Sequence, residues 1–163
     1  MISMLRVDDR LIHGQVAVMW SKHLAVSRII VANDAISQNA IQAGALKMAA
    51  PSGVKAAVLP IEKSQGILND PRSEEMKILV LSNNPQDLYH VLLGVKERPV
   101  LNVANYGRIG GELSQKRKIT ETVYLTPEDE EVIREIHKMG VEVIYQPLPG
   151  DVREDFMKLM EGK

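Results

Sequence analysis

Residues 6–16, Arg6-Val7-Asp8-Asp9-Arg10-Leu11-Ile12-His13-Gly14-Gln15-Val16, bring two arginines, two aspartates and a histidine together within eight positions. A neutral imidazole is a nucleophile near pH 7, so a histidine beside an anion site is suited to taking up a phosphoryl group. Arg10, three residues ahead of His13, carries a planar fork of donors that fits phosphate oxygens. Gly14 permits close backbone approach, which makes the N–H groups of Gly14 and Gln15 candidates for holding the same anion. Asp8 or Asp9 can fix an arginine by hydrogen bonds, and at least one of the two is expected to be purely structural. Arg6 either supports the loop or meets a partner. The competing account makes residues 8–10 a solvated ion-pair loop and His13 an ordinary surface residue.

The elements on either side give this segment its place. Met1-Ile2-Ser3-Met4-Leu5 reads as a short buried strand. Val16, Met19 and Trp20 recur at helical spacing and predict a helix over residues 14–23. The charged segment is then the turn from a first strand into a first helix. In open α/β sheets ligands collect outside the carboxyl ends of strands, and a helix start offers free N–H groups to an anion.

The remaining chain alternates in the same way. Apolar, β-branched runs predict strands at residues 28–32, 54–59, 78–81, 99–104, 119–125 and 141–145. Between them lie a long helix over residues 36–50, another over 61–68, and one whose face carries Leu88, Val91, Leu92 and Val95. Thr126-Pro127-Glu128-Asp129 is a helix start with a threonine cap, and Lys138-Met139-Gly140 ends that helix. A terminal helix is expected over residues 152–160. The alternation predicts an α/β fold: one domain over residues 1–163 with an open, mostly parallel sheet of about seven strands and helices on both faces. Residues 105–118 are too polar for a crossover helix, so one antiparallel strand is expected near that edge. Gly107-Arg108-Ile109-Gly110-Gly111 has the wrong spacing for a dinucleotide fingerprint and reads as a flexible turn. Whether the turn at residues 59–62 joins an anion pocket stays open.

Composition narrows the function. The 163 residues are 45% hydrophobic and 25% charged, with a formal net charge of −1. That balance gives no electrostatic pull toward nucleic acid or an anionic membrane. Cysteine is absent, which excludes disulfides and thiolate zinc sites. No apolar run nears the roughly 20 residues of a membrane span, and no signal-peptide pattern opens the chain. His13, His23, His90 and His137 lack metal-ligand spacing, and the last three are expected to be structural or solvent-facing. Neither a metal nor a cofactor is signalled. The eight methionines are expected in core packing. Leu11, Trp20, Arg6 and Arg10 are candidates for partner contact around His13, with Trp20 alternatively a core residue.

Residues 6–16 resemble the active-site segment of the IIB components of the mannose–fructose–sorbose family of bacterial sugar phosphotransferase systems. The likeness continues in order through Ile29-Ile30-Val31-Ala32-Asn33-Asp34, Lys47-Met48-Ala49-Ala50-Pro51-Ser52-Gly53-Val54 and Leu101-Asn102-Val103-Ala104-Asn105-Tyr106-Gly107. It ends in Gly140-Val141-Glu142-Val143 and Gln146-Pro147-Leu148-Pro149, so that it spans essentially the whole chain. The resemblance implies a protein-Nπ-phosphohistidine–sugar phosphotransferase. Its acceptor histidine falls on His13, phosphorylated at Nδ1, and its phosphoryl-contacting arginine on Arg10. It implies a IIA component as phosphoryl donor and membrane components IIC and IID that present the sugar. The chain would be cytoplasmic and would meet the membrane only through those partners. The family fold, an open, mostly parallel seven-stranded α/β sheet, agrees with the pattern above.

Two rival readings fit the sequence less well. A receiver-like switch would use Asp8-Asp9 as an acidic magnesium pair, but it needs an acceptor aspartate after the third strand and a lysine after the fifth. Leu59-Pro60 and Ala104-Asn105 stand there instead. A non-enzymatic regulator with the same fold is opposed by the presence of both His13 and Arg10.

Overall fold

The first strand does not stop at Leu5. It runs on through Arg6 and Asp8 as β1 (Ile2–Asp8) in the computed structural model, which describes residues 1–162. Chain order then gives α1 (Gly14–Leu24), β2 (Arg28–Ala32), α2 (Asp34–Ser37), α3 (Ala40–Met48), β3 (Lys55–Leu59), α4 (Ile61–Asn69), β4 (Ile78–Ser82) and α5 (Pro85–Leu93). The second half holds β5 (Leu101–Asn105), β6 (Arg117–Thr120), β7 (Val123–Leu125), α6 (Pro127–Lys138), β8 (Val143–Tyr145), β9 (Glu154–Asp155) and α7 (Phe156–Met160).

Seven strands form one sheet in the order β3-β2-β4-β1-β5-β8-β9, which puts β1 at its centre. The first six are parallel, and β9 is antiparallel to β8. Side chains alternate across the sheet and feed two cores. On one face Met4, Ile29, Val31 and Leu79 meet Trp20 of α1 and Ala43 and Leu46 of α3. On the other Leu5, Val7, Val80 and Val103 meet Leu88 and Leu92 of α5, Ile133 and Ile136 of α6, and Phe156 of α7. The expected open, mostly parallel sheet with helices on both faces is thus observed.

Several elements differ from expectation. The single helix over 36–50 is two, because Asn33 caps the N–H of Ile36 and Asn39 caps that of Gln42. An asparagine that bonds forward in this way starts a new helix rather than continuing an old one. Residues 119–125 are no strand of the main sheet. Thr120 Oγ1 accepts from the Thr122 N–H and turns the chain, so β6 and β7 form a separate hairpin. The seventh strand is instead β9, which takes the first residues of the expected terminal helix and leaves α7 to begin at Phe156. The antiparallel strand therefore comes from the carboxyl-terminal segment, not from residues 105–125. The methionines divide: Met4 and Met160 are core, whereas Met48 is 88% exposed. The turn at 59–62 stands roughly 14 Å, three strand spacings, from β1, and its Ile61 N–H is bonded to Asp34.

Candidate active site

Strand alternation puts Met4, Arg6 and Asp8 on the face that α1 covers. Arg6 and Asp8 are consequently buried, and the Arg6 Nη2 donates to Asp8 Oδ2 at 3.1 Å. The Arg6 guanidinium also lies over the Trp20 ring, 5.5 Å from its centroid, a contact that suits a desolvated cation. Burial draws the Arg6 pKa down, and the Asp8 charge opposes that fall. Neither Arg6 nor Trp20 is open to a partner, and Leu11 is buried too. Those three candidates for partner contact are therefore internal residues.

The turn from β1 into α1 is held at several points. The Asp8 Oδ1 accepts from the Arg10 N–H at 2.9 Å, and the Asp8 carbonyl accepts from the Leu11 N–H at 3.0 Å. Leu11 adopts φ +59°, a left-handed conformation that a branched side chain rarely takes. Burial of Leu11 and Ile12 in the α1-side core secures it. The chain then reaches His13, the residue that caps α1 in extended conformation. Its side chain makes no capping bond, so the first N–H groups of α1, at Gly14, Gln15 and Val16, have no partner within the helix.

His13 Nε2 lies 3.1 Å from Asp8 Oδ2. Asp8, paired with Arg6, is a carboxylate and can only accept, so the ring proton sits on Nε2. A neutral imidazole with Nε2–H keeps its lone pair on Nδ1. The His13 side chain retains 15% exposure, against 1% for Asp8. The arrangement is a buried ion pair that orients a half-open imidazole at a helix start.

The other named residues take distinct positions. Gly14 and Gln15 are exposed in the first turn of α1. Arg10 is exposed, and its guanidinium makes no hydrogen bond or ion pair among the described residues, so neither aspartate holds it. Asp9 accepts from the Gly107 N–H at 3.1 Å. Burial pushes its carboxyl up to about 6, helped by the Asp8 charge and opposed by the Gly107 bond, Lys116 and Arg108. His23 meets the Trp20 ring edge-on at 5.7 Å, while His90 and His137 bond to backbone carbonyls of Gln86 and Val141. Gly107 and Arg108, which the sequence reads as part of a flexible turn, and Lys116, which it singles out for nothing, are neighbours of the site. The contact that reveals them joins residues 98 positions apart, which no local pattern can show.

Residues 2–163 match the family model of the phosphotransferase system sorbose subfamily IIB component. A probable phosphotransferase enzyme IIB component of Streptococcus pyogenes serotype M6 is 36% identical over 162 residues, covering 98% of this chain and 99% of that protein. The fructose-specific EIIB component of Bacillus subtilis is 34% identical over 162 residues, 99% of this chain and 96% of its own. The crystal structure of the IIB domain of the sorbose permease from Klebsiella pneumoniae superposes with a TM-score of 0.91 at 29% identity, covering 99% of this chain and 97% of that one. With its central histidine turn on this sheet, the chain belongs to the sorbose-subfamily IIB components of the sugar phosphotransferase system.

Proposed function

We propose that His13 accepts a phosphoryl group on Nδ1 from a phosphohistidine of a IIA component and passes it to a sugar held by IIC and IID membrane components. The observation that carries this reading is the 3.1 Å contact between His13 Nε2 and the buried Asp8, which leaves Nδ1 as the nucleophile. In the transfer, the Nδ1 lone pair forms a bond to phosphorus as the bond from phosphorus to the donor's nitrogen breaks. The donor nitrogen takes back its electron pair. The His13 ring becomes positively charged and keeps its Nε2 proton, and the facing Asp8 carboxylate stabilises that charge. Arg10 and the free N–H groups of Gly14 and Gln15 balance the charge on the phosphoryl oxygens. The protein's contribution is position and charge, as phosphoryl transfer requires.

The relatives support a IIA donor: the mannose-specific EIIAB component of Escherichia coli is matched by this chain over 48% of its length, at 30% identity. No helix among the described residues is long and apolar enough to cross a membrane. The proposed place of work is the cytoplasmic side of the membrane, reached through the IIC and IID partners. The test is transfer of radiolabelled phosphoryl from a phosphorylated IIA component to the wild type and to His13→Ala. Label on the wild type alone is expected; equal label on the variant would remove His13 as acceptor.

A further inference from the structure

β1 and β5 are neighbours in the sheet, yet their connections leave in opposite directions. β1 leads through α1 to β2 on the β4 side, whereas β5 leads toward β8 on the other. The crevice outside the carboxyl ends at such a reversal is where open α/β sheets receive ligands. Two hydrogen bonds close its base here. The Asp9 N–H donates to the Asn105 carbonyl at 2.8 Å, and the Gly107 N–H donates to Asp9 Oδ2 at 3.1 Å.

The loop on the β5 wall is firmly rooted. The Tyr106 N–H donates to Thr122 O, its carbonyl accepts from the Tyr124 N–H, and its hydroxyl donates to Asp129 at 3.0 Å. Gly107 has φ +88°, and a Cβ there would lie 1.9 Å from the Tyr124 carbonyl oxygen. Lys116 closes the loop by donating to the carbonyls of Gly107 at 2.7 Å and Gly110 at 2.8 Å. Between these anchors stands Arg108, exposed, with no hydrogen bond or ion pair among the described residues and its charge felt at Asp9.

Charge pairing across the crevice leaves two cations uncommitted. Arg6 offsets Asp8. Lys116, bound to the loop carbonyls, also acts on Asp9. Arg10 on the β1 wall and Arg108 on the β5 wall remain. A transferring phosphoryl group spreads negative charge over three oxygens, which one arginine cannot cover from one side.

The geometry points to Arg108 as a second catalytic cation, which contacts the phosphoryl oxygens from the β5 wall while Arg10 contacts them from the β1 wall. This deepens the reading of His13 as acceptor and rests on it. Arg108 forms and breaks no covalent bond. It holds charge as the group passes to Nδ1 and keeps the group ordered afterwards.

The experiment follows single-turnover transfer from a phosphorylated IIA component to the wild type, Arg108→Gln, Arg108→Lys and His13→Ala. Arg108→Gln is expected to slow transfer at saturating donor about tenfold, less than a fully enclosed donor group would, with donor affinity unchanged. Arg108→Lys should recover most of the rate, since the charge is restored. Phosphorus NMR supplies a readout that a structural role would not move. A nearby cation favours the dianionic phosphoryl group, so its ionisation midpoint on His13 should rise in Arg108→Gln and return in Arg108→Lys. An unchanged saturated rate and midpoint overturn the assignment. If donor affinity alone weakens, Arg108 is a docking contact and the assignment also fails. Both failures leave His13 labelled in the wild type. Absence of label there overturns the acceptor reading, and this inference with it.

Discussion

The Nε2 nitrogen of His13 and the Oδ2 oxygen of Asp8 lie 3.1 Å apart, and the same oxygen accepts from the Arg6 guanidinium at 3.1 Å. One buried carboxylate oxygen therefore joins the exposed end of the site to the core of the sheet. It fixes which imidazole nitrogen is free, and its own charge is offset by Arg6.

Removing that charge has two separable effects. Asp8→Asn leaves the Arg6 guanidinium buried without a counter-charge, a loss of about 3 kcal/mol. Transfer should also slow by about 10²-fold, because an asparagine no longer fixes the ring proton or stabilises the charged ring. The double variant Arg6→Met/Asp8→Asn should recover most of the stability and none of the rate. Urea unfolding and single-turnover transfer on the three proteins check this. Recovery of the rate in the double variant would show that Asp8 acts on the fold alone.

Arg10 behaves oppositely, since its guanidinium is exposed and unpaired among the described residues. Arg10→Ala should leave the thermal midpoint unchanged and slow transfer by about 10²-fold, the scale of one lost electrostatic donor. An unchanged single-turnover rate would take Arg10 out of the mechanism.

Asp9 makes stability depend on pH. Its carboxyl lies at about 6 in the fold against an ordinary 3.8. A folded pKa above the unfolded one means that the native state binds the proton more tightly. The associated stability is fully present below pH 3.8 and is lost as pH rises through about 6. Asp9→Asn keeps an oxygen for the Gly107 N–H and cannot ionise. Its thermal midpoint should match the wild type near pH 3 and exceed it near pH 8. The gain should be modest, because the half-buried group is partly screened by water. A difference that does not vary with pH would show that Asp9 does not titrate in this range.

Gly14 and Gly107 both have positive φ, +43° and +88°, but a Cβ at Gly14 meets open space and one at Gly107 meets the Tyr124 carbonyl. Gly14→Ala should cost about 1 kcal/mol, the backbone term alone. Gly107→Ala should cost more, roughly 2–4 kcal/mol, because the loop must leave Tyr124 and Asp9. Chemical denaturation of both variants measures the contrast, and equal losses would argue against the close packing at Gly107.

Much of the fold was legible because its signals are local. Thr126 and Asp129 form the expected capping box at the start of α6. The β-branched runs at β2 and β4 are strands as read. His13 was correctly placed at the start of α1. The burial of Arg6 and Asp8 was not legible, since two charges in a row of strand positions read as the end of the strand. Their pairing needs Trp20 overhead and a buried position, and both come from packing. Asn102 was passed over for the same reason: fully buried on β5, it exchanges two hydrogen bonds with Gln146 across 44 positions. Asp9 and Gly107 likewise meet only because β1 and β5 are adjacent in the sheet.

The measurement that tests the account most directly is phosphorus NMR of the wild-type chain after phosphorylation by a IIA component. The predicted result is one phosphohistidine signal, of the Nδ1 isomer, absent in His13→Ala. An Nε2 isomer would contradict the tautomer imposed by Asp8, and an acyl phosphate would move the acceptor from His13 to an aspartate.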